Sequence, residues 1–147
     1  AGGDPARFNF PRALMKDRNL NFSFSGLKTA VLYALEDLEE KDYPDVAASF
    51  QEAVVDVLVK KLAYAIEQTG IKKLVCSGGV AANRLLRERL TDMGKTSELE
   101  VSYPKMEFCT DNAAMIAYAG FIRKKYNLKE YPTKFARPRW PLGELYD

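Results

Sequence analysis

Only two or three strands can be read in this chain, and that shortage limits its fold more than any other feature. Lys73-Leu74-Val75-Cys76 is an apolar run of strand length, and Leu99 to Tyr103 is a second, stopped by Pro104. Sheets usually hold about 4–6 strands. The other periodic segments are helical, and the order is helix, helix, strand, helix, strand, helix, without repeats or low-complexity tracts. The expectation is a helix-rich α/β chain whose sheet is completed either by residues 1–25 or by polypeptide outside these 147 residues.

Residues 1–25, rich in Gly, Pro, Asn, Phe and Ser, predict an irregular lead or a short strand. Ser25 is placed to cap a helix from Gly26, along which Leu27, Val31, Leu35 and Leu38 recur until the polar run Glu36 to Asp42. Pro44 suits the first turn of the next helix, Val46, Phe50, Ala53 with Val54, Val57 with Leu58, Leu62, and Ala65 with Ile66 form its apolar face, and Gly70 suits its C-terminal cap. A third helical pattern runs from Val80 to Met93 and stops at Gly94. Thr110 is placed to cap a fourth, Asp111 to Tyr126, whose AAMIAYAGFI is apolar on nearly every side and so predicts burial. The tail, with Pro132, Pro138 and Pro141, reads as extended and irregular.

The chain has no histidine. That removes Ser-His-Asp and Cys-His catalysis, H-E-x-x-H zinc sites and histidine proton relays from within it. Cys76 and Cys109 are the only cysteines, and without a C-x-x-C spacing they read as two buried free thiols. No run approaches the ~20 apolar residues of a membrane span, and AGGDPARFNF lacks a signal core, so we expect a cytoplasmic protein without membrane contact. Charge is uneven: residues 1–70 carry a net −3 and residues 71–147 a net +5. The excess gathers in Arg123, Lys124, Lys125, Lys129, Lys134, Arg137 and Arg139, opposed there by Glu130. Such a stripe suits a polyanion, but basic residues also favour helix C-termini, and charge alone favours a solvated helix end.

Three units can carry chemistry. The first is strand, Ser77-Gly78-Gly79, then a helix with Asn83 one turn in. Two glycines let backbone N–H groups approach a ligand, a helix start favours an anion, and an asparagine offers donor and acceptor to a ribose or base edge. A plain tight turn explains the same residues equally well. The second is Cys109-Thr110-Asp111-Asn112, where Asp111 is either a capping carboxylate or a metal ligand or base; spacing favours the cap. The third is Phe22-Ser23-Phe24-Ser25-Gly26-Leu27-Lys28-Thr29, aromatics that read as core rather than base-stacking surface, with Lys28 opposing its helix dipole and hinting at a partner charge.

Five motifs stand in order: NFSFSGLKTA, ASFQEAVVDVL, LVCSGGVAANRLLR, FCTDNAAMIAYAG and RPRWPLGEL. Together they resemble the carboxy-terminal half of the TsaD family, the tRNA adenosine threonylcarbamoyltransferases, formerly labelled O-sialoglycoprotein endopeptidase or glycoprotease. The resemblance implies one lobe of an actin-like, sugar-kinase-like (ribonuclease H-like) ATPase fold. It implies transfer of a threonylcarbamoyl group from threonylcarbamoyl-adenylate to the exocyclic amine of an adenosine beside the tRNA anticodon. Asn83 matches a position contacting the nucleotide-like substrate, Gly78 and Gly79 match the turn beside it, and Asp111 matches a carboxylate ligand of an iron or zinc ion.

The family's H-x-x-x-H metal motif and amino-terminal phosphate loop have no counterpart here. We therefore expect a fragment, residues 1–147 as one lobe, inactive alone, holding no metal alone and facing a missing amino-terminal lobe. Its partners would be tRNA, the adenylate and other proteins of the threonylcarbamoyladenosine pathway, and its open face would favour self-association. The alternatives are a metallopeptidase, as the older label says, and a non-enzymatic RNA- or protein-binding module.

Overall fold

The computed structural model describes residues 2–128 and Arg139. The chain divides into two compact units, Ala1–Thr110 and Asp111–Asp147. The predicted tail prolines and the basic residues Lys129, Lys134 and Arg137 lie outside the described residues, as does RPRWPLGEL apart from Arg139.

The first unit is built on helix α2 (Tyr43–Thr69). Pro44 occupies its first turn, where a missing N–H costs nothing, and Gly70 ends it at φ +69°, with its N–H bonded to the Ile66 carbonyl. Both assignments agree with the sequence. α2 buries residues on several sides. Val46 and Ala53 join Phe10 and Leu27 of helix α1 (Ser25–Glu36) in one core cluster. Val55 joins Leu86 and Leu90 of helix α3 (Arg84–Ser97) in another. The predicted face held for Val46, Ala53 and Val57 but missed buried Val55 and Lys61, while Phe50 stays 41% exposed. A helix between two packing partners needs more than one apolar stripe.

Residues 2–24 contain no strand, so the irregular lead is the correct reading and these residues do not complete the sheet. Their backbone polar groups find partners along α2 instead, as buried groups must. Asp45 Oδ1 accepts from the Asp4 N–H, Ser49 Oγ from the Phe8 N–H, Asp56 from Arg12 Nε, and Lys61 Nζ donates to the carbonyls of Asp17 and Asn19. Tyr64 and Gln68 bond the carbonyls of Met15 and Arg18. The lead therefore follows α2 from its first turn to its last.

Strands β1 (Lys73–Val75) and β2 (Glu100–Ser102) pair in parallel, Leu74 opposite Val101, and form the one sheet among the described residues. α3 is their crossover, as parallel pairing requires. Its boundaries differ from the predicted Val80–Met93. Gly79–Ala82 is a 3-10 turn, Asn83 caps α3, and the helix passes Gly94 to Ser97. Gly94 is kept for space: a Cβ there would lie 2.9 Å from the Leu99 carbonyl oxygen. Glu98 takes the left-handed closing position at φ +52°.

Two predicted caps are also corrected. Ser25 lies inside α1, whose cap position is Phe24 without a side-chain bond. In the second unit helix α4 (Ala113–Lys125) is capped by Asn112, whose Oδ1 accepts from the Met115 N–H, not by Thr110. α4 buries none of its residues, against the expectation of burial, with Ile116 66% and Tyr118 65% exposed. A helix apolar on every side needs cover on every side, and α4 is the one described element of its unit.

Candidate functional site

The carboxyl ends of two parallel strands share one edge, and the turns leaving them are where α/β proteins bind ligands. β1 leaves through Cys76-Ser77-Gly78-Gly79, and β2 leaves through Tyr103-Pro104 to Cys109. Cys76 N–H bonds the Ser102 carbonyl at 3.0 Å, so the ladder continues to the mouth of the first turn. Gly78 sits at φ +86°, a conformation few side chains tolerate. A Cβ on Gly78 or Gly79 would meet nothing within 4 Å, so the turn faces open space. The N–H groups of Ser77, Gly78, Gly79 and Val80 bond nothing among the described residues. The sequence-predicted glycine turn is thus an exposed row of donors.

Asn83 lies at the start of α3 rather than one turn inside it. Its Oδ1 accepts from the Leu86 N–H at 2.9 Å, and its Nδ2 donates to Gln51 Oε1 at 2.9 Å. The cap fixes which end of the amide faces the helix. One Nδ2 hydrogen and one Oδ1 lone pair remain for a ligand. Asn83 therefore has a structural role and spare valence together. Beside it a cavity of about 250 Å³ runs between α2 and the turn, lined by Gln51, Val54, Leu58, Val80 and Asn83.

Sequence reasoning missed Arg87. It lies four residues after Asn83 and so on the same helix face. Its Nε donates to the Ala81 carbonyl at 2.5 Å, and its Nη2 to the Pro104 carbonyl at 2.9 Å and Cys109 Sγ at 3.2 Å. The guanidinium also stands 4.8 Å from the Tyr103 ring centroid. The signal was the LLR that follows Asn83 in its motif. Both cysteines are free thiols, Cys109 buried and Cys76 half-buried. Burial pushes the Cys76 thiol up, against an opposing pull from Arg87.

Asp111 is exposed and belongs to the second unit, two residues before α4. Among the described residues no three His, Cys, Asp or Glu side chains gather at one point. One exposed carboxylate matches a corner of a metal site, not a metal site. Lys28 is exposed on α1 and lines an apolar groove of about 490 Å³ with Phe24, Val31, Leu32, Phe50 and Val54. Phe24 packs against the first core cluster, and Phe22, 50% exposed, stacks on it with 6.3 Å between centroids.

The sequence matches the TsaD family, described as tRNA N6-adenosine threonylcarbamoyltransferase, over residues 1–118. It is 46% identical over 147 residues to a curated tRNA N6-adenosine threonylcarbamoyltransferase of Methylobacillus flagellatus, an alignment that takes in 97% of this chain and 43% of that protein. The chain thus spans less than half the length of this relative. The glycine turn, Asn83, Arg87 and Asp111 all fall inside the matched residues. On this match the chain belongs to the TsaD family.

Proposed function

We propose that this chain forms the carboxy-terminal lobe of a two-lobe, actin-like enzyme that moves a threonylcarbamoyl group from threonylcarbamoyl-adenylate to the exocyclic amine of adenosine next to the tRNA anticodon. The observation that carries this reading is the open glycine turn at the carboxyl end of β1, with Asn83 beside it, in a chain of this family. The N–H groups of Ser77 to Val80, unbonded among the described residues, suit the phosphate of an adenylate, and the remaining donor and acceptor of Asn83 suit its ribose or base edge. In the transfer the amine nitrogen attacks the threonylcarbamoyl carbonyl, the bond to the phosphate oxygen breaks, and the amine gives up a proton. This lobe binds and orients the adenylate; the remaining groups come from the other lobe. A tRNA substrate implies work in the cytoplasm with other proteins of the same pathway. Among the described residues no helix is long and apolar enough to cross a membrane.

Under the same reading Asp111 supplies one oxygen ligand to an iron or zinc ion whose other ligands lie outside this chain. The described residues do not build that site alone. The peptidase reading needs about three protein ligands and an open water position, and no described cluster favours it. The apolar groove between α1 and α2 and the two sheet edges left open among the described residues support the lobe reading, because a second lobe would cover such a face. Without that lobe the chain should self-associate in sedimentation.

The test is adenylate binding by calorimetry in the full-length protein. Asn83→Asp keeps the oxygen that caps α3 and removes the amide donor. It should weaken binding by about 1–3 kcal/mol, the cost of an unmade polar contact. Unchanged affinity would overturn the assignment.

A further inference from the structure

We infer that Arg87 is a positioning residue that joins the two turns at the carboxyl ends of β1 and β2 into one substrate-binding frame; this rests on the function proposed above. Its fork spans both turns at once. Nε holds the Ala81 carbonyl at 2.5 Å, and Ala81 in turn donates its N–H to the Gly78 carbonyl at 2.9 Å. Nη2 holds the Pro104 carbonyl at 2.9 Å and Cys109 Sγ at 3.2 Å. Cys109 Sγ lies 3.6 Å from the Lys105 carbonyl, closing the second turn on itself. Tyr103 lies under the guanidinium and donates its hydroxyl to the Arg87 carbonyl at 3.1 Å.

Two features set this arginine apart from those nearby. It forms no ion pair among the described residues, whereas Arg89 on the same helix pairs with Glu52. A half-buried cation without a carboxylate is costly, and here every contact goes to carbonyl, sulfur or ring. No other described side chain bonds both turns. Only the planar guanidinium can do so, because its donors diverge in a fixed fork. Removing it leaves Gly78 and its neighbours attached through β1 and α3, and tied to the second turn only through the Cys76–Ser102 backbone bond and the Tyr103 hydroxyl on the residue 87 carbonyl. The donor row then loses its placement rather than its chemistry.

The experiment compares Arg87→Met and Arg87→Lys with the parent in the full-length enzyme, measuring the folded fraction, kcat, and KM for threonylcarbamoyl-adenylate and for tRNA separately. Misplaced binding groups cost between about tenfold and a hundredfold. Arg87→Met should therefore raise the adenylate KM by that factor and leave the tRNA KM unchanged. Arg87→Lys should recover part of the loss, since an ammonium reaches one carbonyl but not both turns. A merely structural arginine would lower the folded fraction and leave the KM of the folded remainder at the parental value; that result overturns the inference. Should Arg87→Met fail to fold, Arg87→Lys decides by the same KM. Asn83→Asp separates the two proposals. If it leaves adenylate binding untouched, the substrate site is misassigned; if it weakens binding while Arg87→Lys does not, the role of Arg87 alone is refuted.

Discussion

Replacing Lys61 by methionine should loosen the lead segment from α2 by about 2–4 kcal/mol. Lys61 is 1% exposed, and its Nζ lies 2.9 Å from the Asp17 carbonyl, 2.7 Å from the Asn19 carbonyl and 3.3 Å from Asn19 Oδ1. All three ammonium donors are used. Bonds to a charged group contribute about 1.5–3 kcal/mol each, a gross of about 4.5–9 kcal/mol. Against that, desolvating an ammonium costs several kcal/mol. Methionine keeps most of the apolar stem and removes that cost, and Asp17 and Asn19 are exposed enough for water to reach their oxygens. The net loss therefore falls below the gross sum, at about 2–4 kcal/mol. Urea unfolding followed by circular dichroism reads the global effect. Limited proteolysis around residues 15–20 reads the local one, where 2 kcal/mol multiplies opening by about thirtyfold. Arg18→Ala is the comparison, since the Arg18–Glu67 pair is 66% and 56% exposed; it should cost less than about 1 kcal/mol. A Lys61→Met variant within about 0.5 kcal/mol of the parent, as for ordinary surface changes, would refute the reasoning.

Gly94→Ala would gain about 1 kcal/mol in an open helix, yet here its Cβ would lie 2.9 Å from the Leu99 carbonyl oxygen and 3.1 Å from Val101 Cγ2. The variant should lose about 1–3 kcal/mol, and a higher melting temperature would contradict the packing. The Arg7 guanidinium, 2.6 Å from Asp42 and 2.7 Å from Asp45, holds both carboxyls below their ordinary 3.8, aided by the N–H of Glu39 and of Asp4 respectively, with Lys41 also lowering Asp42. Depressed carboxylates stabilise in full above the ordinary value and lose that contribution as pH falls from there through the native values. Arg7→Gln should thus flatten the acid limb of a stability titration below pH 3.8, and an unchanged limb would count against the pair. Cys76, pushed above the ordinary 9.0 by burial, should alkylate more slowly than a free thiol at neutral pH, and fast labelling would show the turn to be more open than its packing allows.

The sequence alone determined what near neighbours decide. Pro44 and Gly70 bound α2, Lys73–Val75 and Glu100–Ser102 are the strands, and Ser77-Gly78-Gly79 is the open turn between strand and helix. Each depends on backbone preferences within a few residues, which a one-dimensional reading can follow. Caps were already harder: Phe24 and Asn112 hold the positions assigned to Ser25 and Thr110, because a cap depends on the dihedral angles at which the chain enters the helix. Only the tertiary structure decided that Asn83 caps α3 while bonding Gln51, that Arg87 spans two turns, and that Lys61 is buried under carbonyls more than forty residues away. The exposure of α4 belongs to the same class. Hydrogen-bond partners and burial are set by which distant segments the fold brings together, and a side chain's type does not say which those will be.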